Sequence, residues 1–319
     1  MRVLVTGIRG FVGTHLTEFL LSKKGVEIHG IARASSRKFA SEKITKRVFI
    51  HPCDLCDASG VRRILKKVRP DRIFHLAAQS FVPRSWEAPS ETLINNLIGQ
   101  LNLLEALRKL GLNPRVQIAG SSEAYGRVGP NEIPIKETNP FRPLSPYGVS
   151  KAAQDLLAYQ YYQSFRLNLV RTCAFSHTGP GQKDVFVASN FAKQIALIEA
   201  GKQSPVIQVG NLETVRDFTD VRDTVRAYWL ALEKGEPGEV YNIASGVGRS
   251  IQEILEIYLE QCKIKVKVKR DALRIRPNDV PIRVGDGEKF FKRTGWVPEI
   301  PFKKTLLDLL NDWRRNIGG

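Results

Sequence analysis

Acidic side chains are in short supply in this chain. Its 319 residues include 32 Asp and Glu against 49 Lys and Arg, a formal charge of +17. An excess of that size raises nucleic-acid binding as a question. The cations are dispersed, however, through helix-like stretches (Arg62, Arg63, Lys66, Lys67, Arg69) and one alternating segment (Lys263, Lys265, Lys267, Lys269), and no nucleic-acid motif accompanies them. Nucleic acid is therefore not expected as a partner. Attraction of an anionic small substrate, or solubility, accounts better for the charge. The alternating segment carries Ile or Val between its lysines, which predicts a solvent-facing edge strand guarded against aggregation.

Cysteine is sparse as well. Four in so long a chain make no disulfide framework. Cys53 and Cys56 form one CxxC, but no second pair or histidine cluster completes a zinc site, so no metal is expected. They read as reduced structural thiols, with a redox role as the alternative. No apolar run approaches the roughly 20 residues that span a bilayer, so no membrane partner is expected. The chain enters directly into Arg2-Val3-Leu4-Val5-Thr6-Gly7 with no signal-like stretch, which predicts a cytoplasmic location. A single methionine beside abundant arginine is compatible with a thermophilic source.

What is present is a run of strand and helix signals in alternation, which predicts an α/β fold with a doubly wound parallel sheet. Val3-Leu4-Val5 reads as a buried strand leading into Gly7-Ile8-Arg9-Gly10-Phe11-Val12-Gly13 and a helix to about residue 23. The three glycines suit a dinucleotide site: Gly7 for the tight turn, Gly10 for approach of a pyrophosphate, Gly13 for helix–strand packing. The next strand ends at Arg33, where an NAD site wants an acidic residue. Arg33, with Ser35, Ser36 and Arg9 near it, favours a 2′-phosphate, so NADP is expected, with NAD possible. Asp54, followed by Leu55, could meet the adenine amino group or cap the helix that starts near Asp57. Leu76, Ala77 and Ala78 end a fourth strand, where small residues let a cofactor lie across the strand ends. His75 lies inside that apolar strand and reads as a core histidine. A long helix over 92–110 carries Asn96 near its start.

The stretch that organises the chain is Ser145-Pro146-Tyr147-Gly148-Val149-Ser150-Lys151. Ser145 suits a helix cap and Pro146 a first turn, which predicts a helix over 146–165. Tyr147 and Lys151 then share one face. An ammonium beside a phenol favours the phenolate and lowers its pKa, giving an acid/base usable near neutral pH.

With the glycine loop at 7–13, the Ser121-Ser122-Glu123-Ala124-Tyr125-Gly126 strand end and Tyr147/Lys151, the chain resembles the extended short-chain dehydrogenase/reductase superfamily. The resemblance covers nearly the whole chain. It implies a Rossmann-like domain over 1–172, with a return segment near 210–245, and a smaller C-terminal α/β nucleotide-sugar domain over 173–319. It implies that Ser121, Tyr147 and Lys151 are catalytic, that Lys151 also holds the nicotinamide ribose, and that Asn96 belongs to the cofactor site. Segments 172–182, 190–194, 209–223 and 276–281 resemble the GDP-sugar branch of that superfamily. By that similarity Lys193 faces the guanine, Arg216 and Arg276 clamp the pyrophosphate, and Asp279 contacts the ribose. Ser80, Ser122 and Ser176 join them on the substrate side, Ser176 standing where the branch usually has Asn. Residue by residue, Arg216 could equally pair with Asp217 or Asp220, and Lys193 could be a solvated helix residue.

The activity implied is NADPH-dependent reduction of the 4-keto group of GDP-4-keto-6-deoxy-D-mannose to GDP-D-rhamnose, with Tyr147 as general acid. The alternative is GDP-mannose 4,6-dehydration using bound NADP, with Glu123 as base. A non-catalytic dinucleotide sensor on the same fold is disfavoured by the intact Tyr147 and Lys151. The resemblance also implies a homodimer through helices 92–110 and 146–165.

Overall fold

A computed structural model of the chain describes residues 1–35, 44, 46–274 and 280–318. Ser36, Arg276 and Asp279 lie outside the described residues, so the roles expected of them are not addressed by the fold.

β1 (Arg2–Thr6) is buried from Val3 onward and delivers the chain to Gly7, whose φ of +70° favours glycine. α1 (Phe11–Leu21), β2 (Glu27–Ala32) and β3 (Val48–Pro52) follow. α2 (Ala58–Val68) is capped by Asp57, whose Oδ1 accepts from the Ser59 and Gly60 N–H groups at 3.1 and 3.0 Å. Asp54 therefore does not cap this helix; its carboxylate accepts the Cys56 N–H at 2.9 Å one turn earlier. β4 (Arg72–His75) leads to α3 (Val82–Glu87) and α4 (Pro89–Leu93). The helix expected over 92–110 is not regular. It passes through a π turn at Ile94–Ile98 before α5 (Gly99–Lys109), and such turns commonly mark functional sites.

β5 (Arg115–Ser121) ends at the serine-rich segment. α6 (Pro146–Phe165) starts where its capping signal predicts: Ser145 Oγ accepts the Gly148 N–H at 3.0 Å. Then come β6 (Leu169–Ala174), β7 (Ser176–Thr178), α7 (Val187–Glu199), β8 (Val206–Val209) and β9 (Val215–Asp220). α8 (Val221–Lys234), β10 (Val240–Ile243), β11 (Gly248–Ser250), α9 (Ile251–Gln261) and β12 (Lys267–Arg270) precede β13 (Ile282–Arg283), α10 (Glu288–Thr294) and α11 (Phe302–Gly318).

Seven parallel strands form the main sheet in the order β10-β6-β5-β4-β1-β2-β3. One face is covered by α1, α8 and α10 through Leu16, Leu20, Tyr228 and Phe290. The other is covered by α2, α5 and α6 through Ile64, Leu104 and Tyr161. The sheet is thus doubly wound. A separate core joins α7, α9 and α11 through Phe191, Ile254, Tyr258 and Leu309. Beside it, β9 pairs with β7, β11 and β13.

The lysine-rich strand is shorter than its alternation suggests. β12 begins only at Lys267, and Val268 on it is 44% exposed. Backbone pairing with β8, not burial of one face, holds it in place. Among the described residues no helix is long and apolar enough to cross a membrane.

Candidate active site

The carboxyl ends of β1, β2, β4 and β5 gather the groups with chemistry. In the loop after β1, a Cβ on Gly7 would sit 2.9 Å from Ala77 Cα, and one on Gly13 would overlap the Gly7 carbonyl oxygen. Gly7 thus lets the loop pass over the end of β4, and Gly13 lets α1 close against the loop. A Cβ on Gly10 would meet only the Gly7 carbonyl, so the outer side of the loop is open to a ligand. Arg9, in that loop, has a buried Nε with no protein partner, and Arg33 is exposed at the end of β2. This set fits a dinucleotide carrying an extra phosphate: a backbone cradle for the pyrophosphate at a helix N-terminus, with two guanidinium groups beside it.

Phe11 and Val12 open α1. Phe11 stacks on His177 at 6.3 Å between ring centroids, and His15 Nε2 hydrogen-bonds the Pro180 carbonyl at 2.8 Å. The first helix is thereby tied to the turn after β7. His177 is buried, which pulls its imidazole below the ordinary range. Leu55 is buried, and Leu76 and Ala77 pack at the core's edge. The Ala77 N–H donates to Thr6 Oγ1 at 3.2 Å, and Ala78 is half-buried behind it. His75 is a core residue, hydrogen-bonded to Thr6 Oγ1 at 2.9 Å, and burial pushes its pKa down to about 3. Cys53, Cys56, Cys173 and Cys262 are free thiols; burial raises Cys53 and Cys56 and disfavours their reactive thiolates.

Asn96, expected at the cofactor site, ties two elements of that edge together. It is fully buried in the π turn. Its Nδ2 donates to the Gln79 carbonyl at 3.0 Å and to Ser150 Oγ at 2.8 Å, and its Oδ1 accepts the Gln79 N–H at 2.7 Å. With both amide hydrogens committed, it fastens the loop after β4 to α6.

The triad residues converge at the end of β5 and the start of α6. Tyr147 is 7% exposed and Lys151 4%. Ser121 hydrogen-bonds the Tyr147 phenol, which favours its ionised form, but burial outweighs this and holds the phenol above its ordinary range. The Lys151 ammonium lies 5.9 Å from the centre of the Tyr147 ring and donates to the Ala119 carbonyl at 2.8 Å. Burial lowers the lysine itself to about 8. Serine donor, phenol and amine together can pass a proton to an oxygen on a substrate carbon and stabilise the charge that grows there.

Glu123 follows in a short 3₁₀ turn whose N-terminus is capped by Ser121 Oγ at 3.3 Å; Ser122 is buried within it. Glu123 Oε1 accepts from Arg283 Nη1 at 2.6 Å. Arg283 is absent from the motifs singled out in the sequence. Its only signal there was a cation inside the apolar run Ile282-Arg283-Val284.

The substrate side is less complete. Lys193 pairs with Asp184 at 2.6 Å, with its ammonium over the Trp313 ring. Arg216 donates to the carbonyls of Val215 and Pro281 at 2.8 and 3.4 Å. Asp217 is no surface partner for it. Asp217 is fully buried and accepts from Ser245 N, Ser245 Oγ, Gly246 N and Gly285 N. Asp220 is held by Arg222 and Thr305. Ser80 is exposed beyond β4 and Ser176 begins β7. Among the described residues no cluster of three or more potential metal ligands occurs.

A nucleotide-binding sheet, a glycine loop after its first strand and a Ser–Tyr–Lys cluster at its edge define the extended short-chain dehydrogenase/reductases. A family profile described as GDP-mannose 4,6 dehydratase matches residues 4–309, so the chain belongs to that family. It is similar to GDP-6-deoxy-D-mannose reductase of Pseudomonas aeruginosa, at 34% identity over 99% of this chain and 98% of the relative. It is also similar to GDP-mannose 4,6-dehydratase of Yersinia enterocolitica, at 31% identity over 97% and 92%. Among solved structures it matches RMD from Pseudomonas aeruginosa complexed with NADPH, with a TM-score of 0.86, 32% identity and 99% of each chain covered. It also matches Thermus thermophilus UDP-glucose 4-epimerase in complex with NAD, with a TM-score of 0.87 and 32% identity over 98% of this chain and 99% of that one.

Proposed function

We infer that this protein is an NADP-dependent enzyme acting on a GDP-sugar, and that its reaction is reduction of the 4-keto group of GDP-4-keto-6-deoxy-D-mannose to GDP-D-rhamnose. The reading rests above all on end-to-end similarity to a GDP-6-deoxy-D-mannose reductase joined to a Ser121–Tyr147–Lys151 cluster whose phenol and amine are buried. Gly7, Gly10, Gly13, Arg9 and Arg33 would hold the dinucleotide. When bound, it supplies the hydride. Tyr147 gives its proton to the C4 oxygen, and the neutral phenol that burial favours is the form this step needs. Ser121 donates a hydrogen bond to the same oxygen. Lys151 holds the amine end of the cluster on the Ala119 carbonyl.

Dehydration of GDP-mannose is the second reading. It is favoured by the family profile and by the position of Glu123 two residues after Ser121. Purified protein incubated with the 4-keto-6-deoxy sugar and NADPH should lose reduced-nicotinamide absorbance in step with sugar reduced. Incubation with GDP-mannose alone should leave it unchanged. Conversion of GDP-mannose to the keto sugar without added reductant would replace the first reading with the second.

The exposed apolar residues Ile94 and Ile98 before α5, and Val149, Leu156 and Tyr159 on α6, support a homodimer through these helices. Leu156→Arg should then give a monomer by light scattering.

A further inference from the structure

We propose that Arg283 is a positioning residue that withholds Glu123 from proton abstraction at C5, so that the site reduces a 4-keto-6-deoxy sugar without enolising it toward C5. This inference rests on the reading of the site given above.

The pair joins residues 160 positions apart. Glu123 comes from the turn after β5, the catalytic edge of the large sheet; Arg283 comes from β13 in the small one. The Arg283 side chain is 6% exposed and that of Glu123 21%, with Nη1 and Oε1 2.6 Å apart. A charge-assisted hydrogen bond in so dry a setting is strong. Arg283 is itself held in place. β13 runs parallel to β9, and two residues beyond Arg283 the Gly285 N–H donates to buried Asp217. The pair also lies against the triad: the Glu123 N–H donates to Ser121 Oγ at 3.3 Å.

The chemistry follows from what each reaction asks of the carboxylate. Enolisation toward C5, which is also the first half of water loss from a sugar that still bears its C6 hydroxyl, needs a base for the C5 hydrogen, which the adjacent C4 carbonyl acidifies. The C5–H bond breaks, its electron pair moves to the C4 oxygen as an enolate, and the proton goes to the carboxylate. An oxygen already accepting from a guanidinium is a poor receiver for that proton. Reduction asks nothing of Glu123 as a base.

Exchange at C5 isolates this step from hydride transfer. The protein is incubated in deuterium oxide with GDP-4-keto-6-deoxy-D-mannose and no nicotinamide cofactor, and deuterium at C5 is followed by mass spectrometry. Wild type and Arg283→Lys should exchange slowly. Arg283→Leu and Arg283→Gln should exchange at least about tenfold faster, within the range expected of a freed general base. Arg283→Leu/Glu123→Gln should return to the wild-type rate. A gain that depends on Glu123 cannot come from loosened folding. Unchanged exchange in both Arg283→Leu and Arg283→Gln, or fast exchange in wild type, overturns the proposal. Oxidation of NADPH by wild type with the same sugar is measured in parallel. If it occurs while exchange in the variants is unchanged, only this inference fails; if it does not occur, the reductase reading fails and takes the inference with it.

Discussion

The two parts of the molecule handle polar groups in opposite ways. At the edge of the seven-stranded sheet, Gly7, Gly13, Ser121, Tyr147 and Lys151 sit at strand ends and helix starts, where local backbone geometry places them. In the smaller C-terminal part, Arg216, Asp217 and Arg283 are placed by partners from distant segments. A short motif can specify the first kind of site. The second kind depends on which strands become neighbours, and a side chain there can be drawn into the frame of the protein itself.

The sharpest test of this contrast is Tyr147→Phe. It removes one oxygen from a site whose shape is otherwise backbone-determined. Turnover should fall by about a thousandfold or more, while NADPH affinity measured by fluorescence quenching stays within about threefold. Near-normal turnover would break the assignment of the first region.

Asp217→Asn probes the second region. It leaves the four donors of Ser245, Gly246 and Gly285 facing an amide with one acceptor oxygen in a fully buried position. A loss of about 3 kcal/mol is expected from urea unfolding. A loss below about 0.5 kcal/mol would show that this network does not hold β9 to the loops around it.

His75 carries the contrast into pH. Burial holds its folded pKa at about 3, against about 6.5 for a free imidazole. As the pH falls below about 6.5 the unfolded chain takes up this proton first, so stability is lost from there down to about 3, by up to about 1.4 kcal/mol per pH unit. Above about 6.5 neither state binds the proton and this contribution is flat. His75→Gln should flatten the slope of unfolding free energy between pH 6 and 4 by about one proton. An unchanged slope would mean that the buried imidazole is not the group responsible.

The smallest effect is expected at the surface. Arg33 is exposed, so Arg33→Ser should weaken NADPH by about tenfold, with NADH little changed. Equal loss for both cofactors would remove Arg33 from the 2′-phosphate site.

Much of the large sheet was legible because its signals are local. The helix from Pro146 follows from a capping serine and a first-turn proline, and the doubly wound sheet from alternating strand and helix patterns. The departures have a common cause. Asn96 is placed at the cofactor site by resemblance alone, and no local pattern announces the π turn that directs it inward onto Gln79 and Ser150. Of the two readings of Asp54, adenine contact or helix cap, the second falls, because Asp57 three residues later is the cap. The spacing of Lys151 and Tyr147 does not announce that the ammonium also reaches the Ala119 carbonyl across the gap between α6 and β5.

By itself the sequence determined where the backbone must turn tightly, where helices start, and that a tyrosine and a lysine share one face at the start of a helix. Those features depend on steric and hydrogen-bonding preferences of a few consecutive residues. Tertiary structure alone decided that Glu123 would meet Arg283, that Asp217 would be buried against the segments at Ser245-Gly246 and Gly285, and that burial would outweigh charge at Tyr147. Burial and long-range pairing depend on how distant segments pack, and no local pattern of residues encodes that distance.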